Sequence, residues 1–356
     1  MDGVESEARG RARVAVDLAI LALVGIVLIA ALGAGGTLLY KDYYSPSAFV
    51  TRYLDLLSSG RAADALRVPG VAVDREILAD AGIDPTASEA LLRHAALAPL
   101  TDVHVDGEKD VEGGTAVTVS YQASGHPGTT TFTVTQDGWD GVAPRWRFEA
   151  SPLAVVDLTL RGADQFAVNG FALDRRQVSA AGADAAPLDP VPLLVFTPGL
   201  YAVTVDTPIA ASKGIGVLAD TPLAITPLDV QTEPTDEFLA VVQQRVEEYL
   251  TSCTSQEILQ PTACPFGMQV KNRIASLPVW SIVTQPTVTV EPDGGHWMIP
   301  PTDAVAHVEV EIRSLFDGSI QKVSEDIPFQ VNGTIVILPD GSASIRVGSP
   351  QDAAAQ

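Results

Sequence analysis

Hydrophobic positions along the chain change their period several times, and each change marks an element. From Leu18 to Tyr40 the apolar run LAILALVGIVLIAALGAGGTLLY is unbroken, with no charge among its 23 residues. At about 1.5 Å per residue it predicts a helix about 35 Å long, enough to cross a hydrocarbon core of about 30 Å. After a polar spacer, Lys41 to Pro46, the residues Phe49, Val50, Tyr53, Leu54 and Leu57 recur at helical spacing behind Ser47 as N-cap, and Gly60 closes that helix. A second short helix is expected over Ala62 to Leu66 and a third over Ser88 to Leu97. The period then falls to two. Val103 and Val105, Val117, Val119 and Tyr121, Phe132 and Val134, and Trp146 and Phe148 alternate with polar residues, as in a half-buried antiparallel sheet. Turns are expected at Glu112-Gly113-Gly114, Gly125-His126-Pro127-Gly128 and Asp137-Gly138.

From Ser151 the helical period is absent. Val156, Leu158 and Leu160 alternate, Phe166 to Phe171 reads as a hairpin turning at Asn169-Gly170, and Ser179 to Pro190 reads as a flexible insert. Pro198-Gly199 turns the chain into a return strand carrying Tyr201, Val203 and Val205. A helix resumes over Thr235 to Leu250 with Phe238, Val241, Val242, Val246 and Tyr249 inward. Alternating strands follow, most clearly at Val308, Val310 and Ile312. The expected fold class is therefore α+β. It comprises a tail (1–17), one N-terminal transmembrane helix (18–40), an α+β domain (46–150), a small antiparallel β-module (151–230), a second α+β domain of helix plus antiparallel sheet (231–349), and a loose tail (350–356).

The string AFVTRYLDLLSSGRAADAL, with its Gly break and Ala-Leu second helix ahead of a strand meander, resembles the cystatin-like cone of the nuclear-transport-factor-like superfamily. That resemblance covers about Pro46 to Ala150 and implies a long helix packed into a curved sheet. It carries over a pattern and no catalytic residue, in a superfamily that holds both enzymes and plain binding modules. The turn at Pro198-Gly199-Leu200-Tyr201 resembles that of small surface β-domains of the PEGA type, without their Pro-Glu-Gly-Ala string. The three-part plan, with its cysteine loop and Cys264-Pro265-Phe266-Gly267, resembles uncharacterised single-pass envelope proteins of actinobacteria.

Charge orients the chain and narrows its partners. Arg9, Arg11 and Arg13 precede the apolar run, whereas Lys41 beside Asp42 follows it, so the N-terminus is expected in the cytoplasm and residues 41–356 outside the plasma membrane. The competing reading is a cleavable secretory signal ending near Ala30 to Ala34. A formal net charge of -22 opposes nucleic acid as a partner, and no basic patch with interleaved aromatics offsets it. At 46% hydrophobic residues the chain has enough apolar material for packed cores. The partners expected are the membrane itself and an envelope protein or wall component.

Candidate chemistry is sparse. Cys253 and Cys264, the only cysteines, lie at the ends of one twelve-residue stretch and outside the membrane are expected to form a structural disulfide. There is no H-E-x-x-H, no G-x-S-x-G and no phosphate loop, and neither metal nor cofactor is expected. The acidic string Gly107 to Gly114 lacks the ligand spacing of a calcium loop and reads as a solvated hairpin. The five histidines are scattered. His126 and His296 fall in turns, while His94, on the expected third helix with Asp80 and Asp84 nearby, is the candidate ligand site or base. Asn332-Gly333-Thr334 matches a glycosylation sequon, which the bacterial source implied by the resemblance to actinobacterial envelope proteins would make a chance match. A non-enzymatic, membrane-anchored scaffold or binding module is the leading expectation. The alternatives are a ligand- or peptide-binding sensor acting through a membrane partner, and a hydrolase or isomerase of the cone superfamily.

Overall fold

The computed structural model describes residues 21, 23–27, 43–72, 75–141, 143–338 and 340–348. Most of the expected membrane span and both expected tails lie outside these residues. Residues 21 and 23–27 are helical, and all but the half-buried Gly25 are exposed. Among the described residues no helix is long and apolar enough to cross a membrane.

The first module opens with helix α1 (Pro46–Ser58). Its cap is Ser45, two residues before the one expected: the Ser45 hydroxyl accepts the Ala48 N–H at 3.1 Å. Pro46 occupies the first helical turn, where its missing N–H costs nothing. Phe49, Val50, Tyr53, Leu54 and Leu57 form the buried face that their spacing predicts. Two short helices follow, α2 (Ala62–Ala65) and α3 (Arg75–Asp80). A meander of β1 (Leu100–Val111), β2 (Gly114–Ala123), β3 (His126–Asp140) and β4 (Ala143–Phe148) completes the layer against α1. Asp137-Gly138 does not end β3. It forms a bulge in which two residues, Asp137 and Gly138, face one, Arg145, with Gly138 supplying φ +85°. Between α1 and the sheet, Phe49, Tyr53, Phe132 and Phe148 pack ring to ring with centroids 5.0 to 6.1 Å apart.

The expected helix over Ser88 to Leu97 is instead two 3-10 turns, Glu89–Leu91 and His94–Ala96. Ser88 is claimed by the neighbouring module: its N–H donates to Pro192 O at 2.8 Å and its carbonyl accepts from Leu194 N at 2.9 Å. Ser88 still caps the first turn, but Leu92 and Arg93, with φ/ψ of -79°/52° and -145°/158°, leave helical geometry and break the run, so tertiary packing overrides local propensity. Leu91 and Ala96 accordingly join the core of the middle module.

That middle module has two sheets. One orders β12 (Ile225–Gln231), β5 (Leu153–Arg161) and β8 (Val191–Phe196); the other orders β11 (Ile215–Ala219), β9 (Gly199–Thr204), β6 (Gln165–Val168) and β7 (Phe171–Asp174). The expectation of a purely antiparallel module is corrected here, because β12 runs parallel to β5 from Ile225↔Val155 to Gln231↔Arg161. The cause is visible in β5, whose first four residues are all buried: alternate residues face the core between the sheets, and Val155 faces Leu78 and Ile83 on the outer side. A strand covered on both faces sits in the middle of its sheet and needs a partner on each edge. The hairpin at Asn169-Gly170 forms as expected, with φ of 50° and 84°. Pro198 follows a cis peptide bond where the chain leaves β8 for β9 in the other sheet. The segment expected to be a flexible insert is preceded by α4 (Arg175–Val178) and holds a 3-10 turn, Gly182–Asp184. A short pair, β10 (Ala210–Ala211) with β13 (Glu233–Pro234), leads out of the module.

The third module repeats helix then sheet. Thr235 caps α5 (Asp236–Thr254), which extends one turn beyond the expected end and carries Cys253. Its buried stripe is Phe238, Val242, Val246, Leu250 and Cys253, so Val241, 45% exposed, lies off the face assigned to it. The sheet contains β14 (Arg273–Ile274), β15 (Val279–Thr284) and β16 (Glu291–Asp293), all paired to β17 (His296–Arg313), followed by β18 (Ile320–Ile337) and β19 (Ala343–Gly348). Phe266, Trp280 and Phe329 fill the space beneath α5 with centroids 4.9 and 5.1 Å apart.

The modules share hydrogen bonds. The Tyr53 hydroxyl, fully buried, donates to Thr197 O at 2.9 Å and lies 3.3 Å from Pro152 O. Burial pushes its pKa well above the ordinary phenol value, so it remains a donor throughout the ordinary pH range. Asn169 Nδ2 donates to Ala96 O and Leu200 O, both at 2.8 Å. Replacing Tyr53 with Phe keeps the ring and strands these carbonyls, and is expected to cost about 1–3 kcal/mol in urea-induced unfolding. An unchanged denaturation midpoint would mean that the hydroxyl does not join the two modules.

Candidate functional site

Where the middle module meets the third, Gly162 to Gln165, Thr207 to Ala210, and Ile337, Leu338, Asp340 and Gly341 surround a cleft of about 210 Å3. Each wall comes from a connection and not from the middle of a strand: the β5–β6 turn, the approach to β10 and the β18–β19 turn. Pro208, Ile209, Ile337 and Leu338 supply apolar surface, and Asp164, Gln165, Arg176 and Asp340 supply polar groups.

The polar side rests on a network of two arginines and two aspartates. Arg175, 3% exposed, places Nη2 2.6 Å and Nε 2.9 Å from Asp164 Oδ1, and its remaining donors reach the carbonyls of Ala185 and Ala186. Arg176 forms a fork on Asp174, Nε to Oδ1 at 3.0 Å and Nη2 to Oδ2 at 2.8 Å, and stands 3.9 Å from Asp164 Oδ2. Asp174 also caps α4 by accepting the Arg176 N–H at 2.9 Å. The hydrogen bonds from the Arg176 side chain are the main reason that the Asp174 carboxyl titrates below its ordinary value, and the same pairing raises Arg176. Two charges of each sign cancel over this network, which lends the cleft rigidity more than net charge. A carboxyl whose folded pKa lies below its unfolded one contributes stability above the unfolded value, and loses it as pH falls through the folded one. Asp174→Asn is therefore expected to destabilise at neutral pH, with a deficit that shrinks as the medium is acidified below the ordinary carboxylate range. A deficit constant with pH would show that the pair does not carry it.

Asp340, at the cleft rim, accepts from Ser342 N at 2.9 Å and Ser342 Oγ at 2.6 Å, and the hydroxyl bond is the main cause of its lowered pKa. Asp164 and Asp340 thus present carboxylate oxygens beside apolar walls, an arrangement suited to a small ligand group that donates hydrogen bonds.

The residues singled out from sequence fall elsewhere. Cys253 and Cys264 are joined, with S–S at 2.06 Å, and among the described residues no cysteine is free. His94 is exposed and sets Nδ1 3.0 Å from Gly60 O; it lies on a 3-10 turn and not on an α-helix. Asp84 is spent on the Thr86 N–H and hydroxyl, both at 2.7 Å, and that hydroxyl bond is the main reason its pKa is lowered. Asp80 ends α3 in an exposed position. His94 thus bonds to Gly60 and Asp84 to Thr86, in different segments of the chain. His126 and His296 are exposed at the starts of β3 and β17. Among the described residues no group of three His, Cys, Asp or Glu side chains is placed to hold a metal ion.

One arrangement escaped the sequence reading. On β17 and β18, Ser324 Oγ lies 3.1 Å from His307 Nε2, and His307 Nδ1 lies 2.6 Å from Asp326 Oδ1. The order Ser, His, Asp and the distances match those of a nucleophilic triad. The surroundings do not: Asp326 is 64% exposed, and Ser324 sits mid-strand in an unbroken ladder opposite Glu309 instead of at a turn that aims free N–H groups at an oxyanion. Cross-strand register alone brings the three together, His307 opposite Asp326 and Ser324 two residues before it on the same face. An activated phosphonate ester is therefore expected to leave Ser324 unlabelled, as judged by peptide mass spectrometry; labelling abolished by His307→Ala would reverse this.

Comparison with known protein families, with curated proteins and with solved structures finds no match to this chain.

Proposed function

We propose that the chain is a membrane-anchored, extracytoplasmic binding scaffold without catalytic activity, seated in the cell envelope by residues 18–40. The observation that carries this reading is that both places where a cone-type enzyme or sensor would hold its ligand are occupied by the protein itself. Phe49, Tyr53, Phe132 and Phe148 fill the space between α1 and its sheet, and Phe266, Trp280 and Phe329 fill that beneath α5. Such interiors contribute stability and shape, leaving recognition to the surfaces between modules. The bonds from Tyr53, Asn169 and Trp297 support the same reading, since they hold those surfaces in fixed relation. The uncharged run from Leu18 to Tyr40, part of which is helical with exposed Leu21, Leu23, Ile26 and Val27, supports the anchor.

The test is a photo-crosslinking residue at Leu338, on the cleft rim, in the full chain in living cells, with Val241 on α5 as the control position. One protein adduct reproducibly formed from Leu338 and not from Val241 is expected. Equal background from both positions would remove the scaffold reading. The cleft itself favours a second reading: a small molecule retained by purified protein, and lost on Asp164→Ala, would make this a ligand-binding sensor.

A further inference from the structure

The strongest unexplained surface is the tip where β17 turns into β18. Ser314 to Ser319, SLFDGS, projects Leu315 at 72% and Phe316 at 100% exposure, and Ile320 and Ile274 beside them are 53% and 43% exposed. Isolated exposed apolar residues are ordinary, but a Leu-Phe pair at the end of two 18-residue strands is not scattered.

Charge at this end is reversed relative to the rest of the protein. Residues 236–348 contain six Lys and Arg, and four of them, Lys271, Arg273, Arg313 and Lys322, belong to the tip and its flanks. Register places them there: Arg313 pairs with both Ile320 and Arg273, Lys322 pairs with Glu311, and Lys271 precedes Arg273 by two residues. All four are exposed. The nearby acids are Glu311, 3.8 Å from Lys322 Nζ, and Asp317, so the tip carries a net positive charge on a chain of net charge -22.

The N–H groups of the loop are already satisfied. Ser314 N–H donates to Ser319 O and Gly318 N–H to Ser314 O. Leu315 N–H donates to Asn272 Oδ1, Phe316 and Asp317 N–H to Ser314 Oγ, and Ser319 N–H to Asp317 Oδ1. Every N–H from 314 to 319 therefore has a partner within the protein. In a medium without water an unpaired N–H is costly, and this loop can leave water without exposing one.

We infer that this hairpin tip docks onto an anionic lipid bilayer, with Leu315 and Phe316 entering the headgroup and acyl boundary and Lys271, Arg273, Arg313 and Lys322 meeting lipid phosphates. A protein partner is disfavoured by shape: a stable protein interface needs about 800 Å2 on each side, and two side chains on a convex loop offer far less. A bilayer conforms to any convex apolar tip. The docking goes beyond the anchor proposed above and does not require it, because the tip lies some 270 residues further along the chain than Tyr40.

The test uses the full chain with Phe316→Cys carrying an environment-sensitive fluorophore; the native cysteines are paired with each other. A chain that inserts is reconstituted into vesicles of about one-third phosphatidylglycerol in phosphatidylcholine, and a chain that stays in solution is titrated with the same vesicles, so the failure of the anchor and of the docking are read separately. Expected are a blue-shifted emission, quenching by shallow nitroxide lipids, and no such change for the same dye on Val241→Cys. Lys271→Glu with Arg273→Glu should weaken the signal by about tenfold, as should replacing phosphatidylglycerol by phosphatidylcholine. Emission at 316 identical with and without lipid overturns the proposal. So does a blue shift that follows protein concentration in the absence of lipid, which would assign the tip to self-association.

Discussion

Replacing Trp297 with Ala is expected to lower the stability of the protein by about 3–5 kcal/mol, the largest effect of any single exposed or buried substitution discussed above. The indole is 1% exposed and is among the largest fully buried side chains. It contributes to the third module's core with Ile299 and Ile335, while its Nε1 donates to Gly162 O of the middle module at 3.0 Å. A Cβ added at Gly162 would stand 2.4 Å from Trp297 Cζ2, so the two surfaces meet there without slack. Truncation thus leaves a cavity inside one module and an unpartnered carbonyl on the next. Urea unfolding followed by circular dichroism measures the loss. Trp297→Phe should recover most of the packing but not the hydrogen bond, leaving a deficit of about 1–2 kcal/mol. Equal midpoints for wild type and Trp297→Ala would mean that the middle and third modules are not joined through this residue.

The second large effect is expected from the disulfide. Cys253→Ala with Cys264→Ala removes a staple across eleven residues of sequence separation and should cost on the order of 3 kcal/mol, on the view that the bond acts by restricting the unfolded chain. The staple also fixes what lies around it. Tyr249 donates to Ala263 O at 2.7 Å, Trp280 Nε1 to Ile258 O at 2.8 Å, and Gln256 bridges Thr262 through its N–H and carbonyl. Released, the loop would loosen Leu259 and Phe266, which close the core below α5. Thermal unfolding with and without reductant measures this. A melting temperature lowered by less than about 2 °C would show that the surrounding packing, and not the bond, holds the loop.

Much of the plan was legible in sequence because it follows from periodicity. The face of α1, the meander after Leu100 and the hairpin at Asn169-Gly170 needed only spacing and turn residues. What escaped reading depended on partners remote along the chain. Nothing in SEALLRHAAL announces that Ser88 pairs with Leu193, and nothing in β12 announces a parallel neighbour about 70 residues earlier. The cleft is likewise made of three connections that come together only in the fold. The Arg175-Arg176 pair with Asp164 and Asp174 offered a local hint, a charged cluster in an otherwise apolar β-region, but its burial is tertiary. Val241 was misplaced for a simpler reason: the buried stripe of α5 advances almost strictly by four, which turns the face past Val241 to Leu250 and Cys253.

The parallel pairing of β12 with β5 has a bearing on how the chain is made. Strand β5 begins at Leu153 and obtains its last neighbour only at Ile225 to Gln231, and the Tyr53 hydroxyl waits for Thr197. A chain made from its N-terminus therefore cannot finish its first module when that module has left the ribosome. Its helix remains short of a partner until Thr197 has been made, and the central sheet until Gln231 has. Arrest between those lengths would leave the apolar edge of β5 open to other chains, so the interval between emergence and closure is the period in which this protein is most exposed to aggregation and proteolysis.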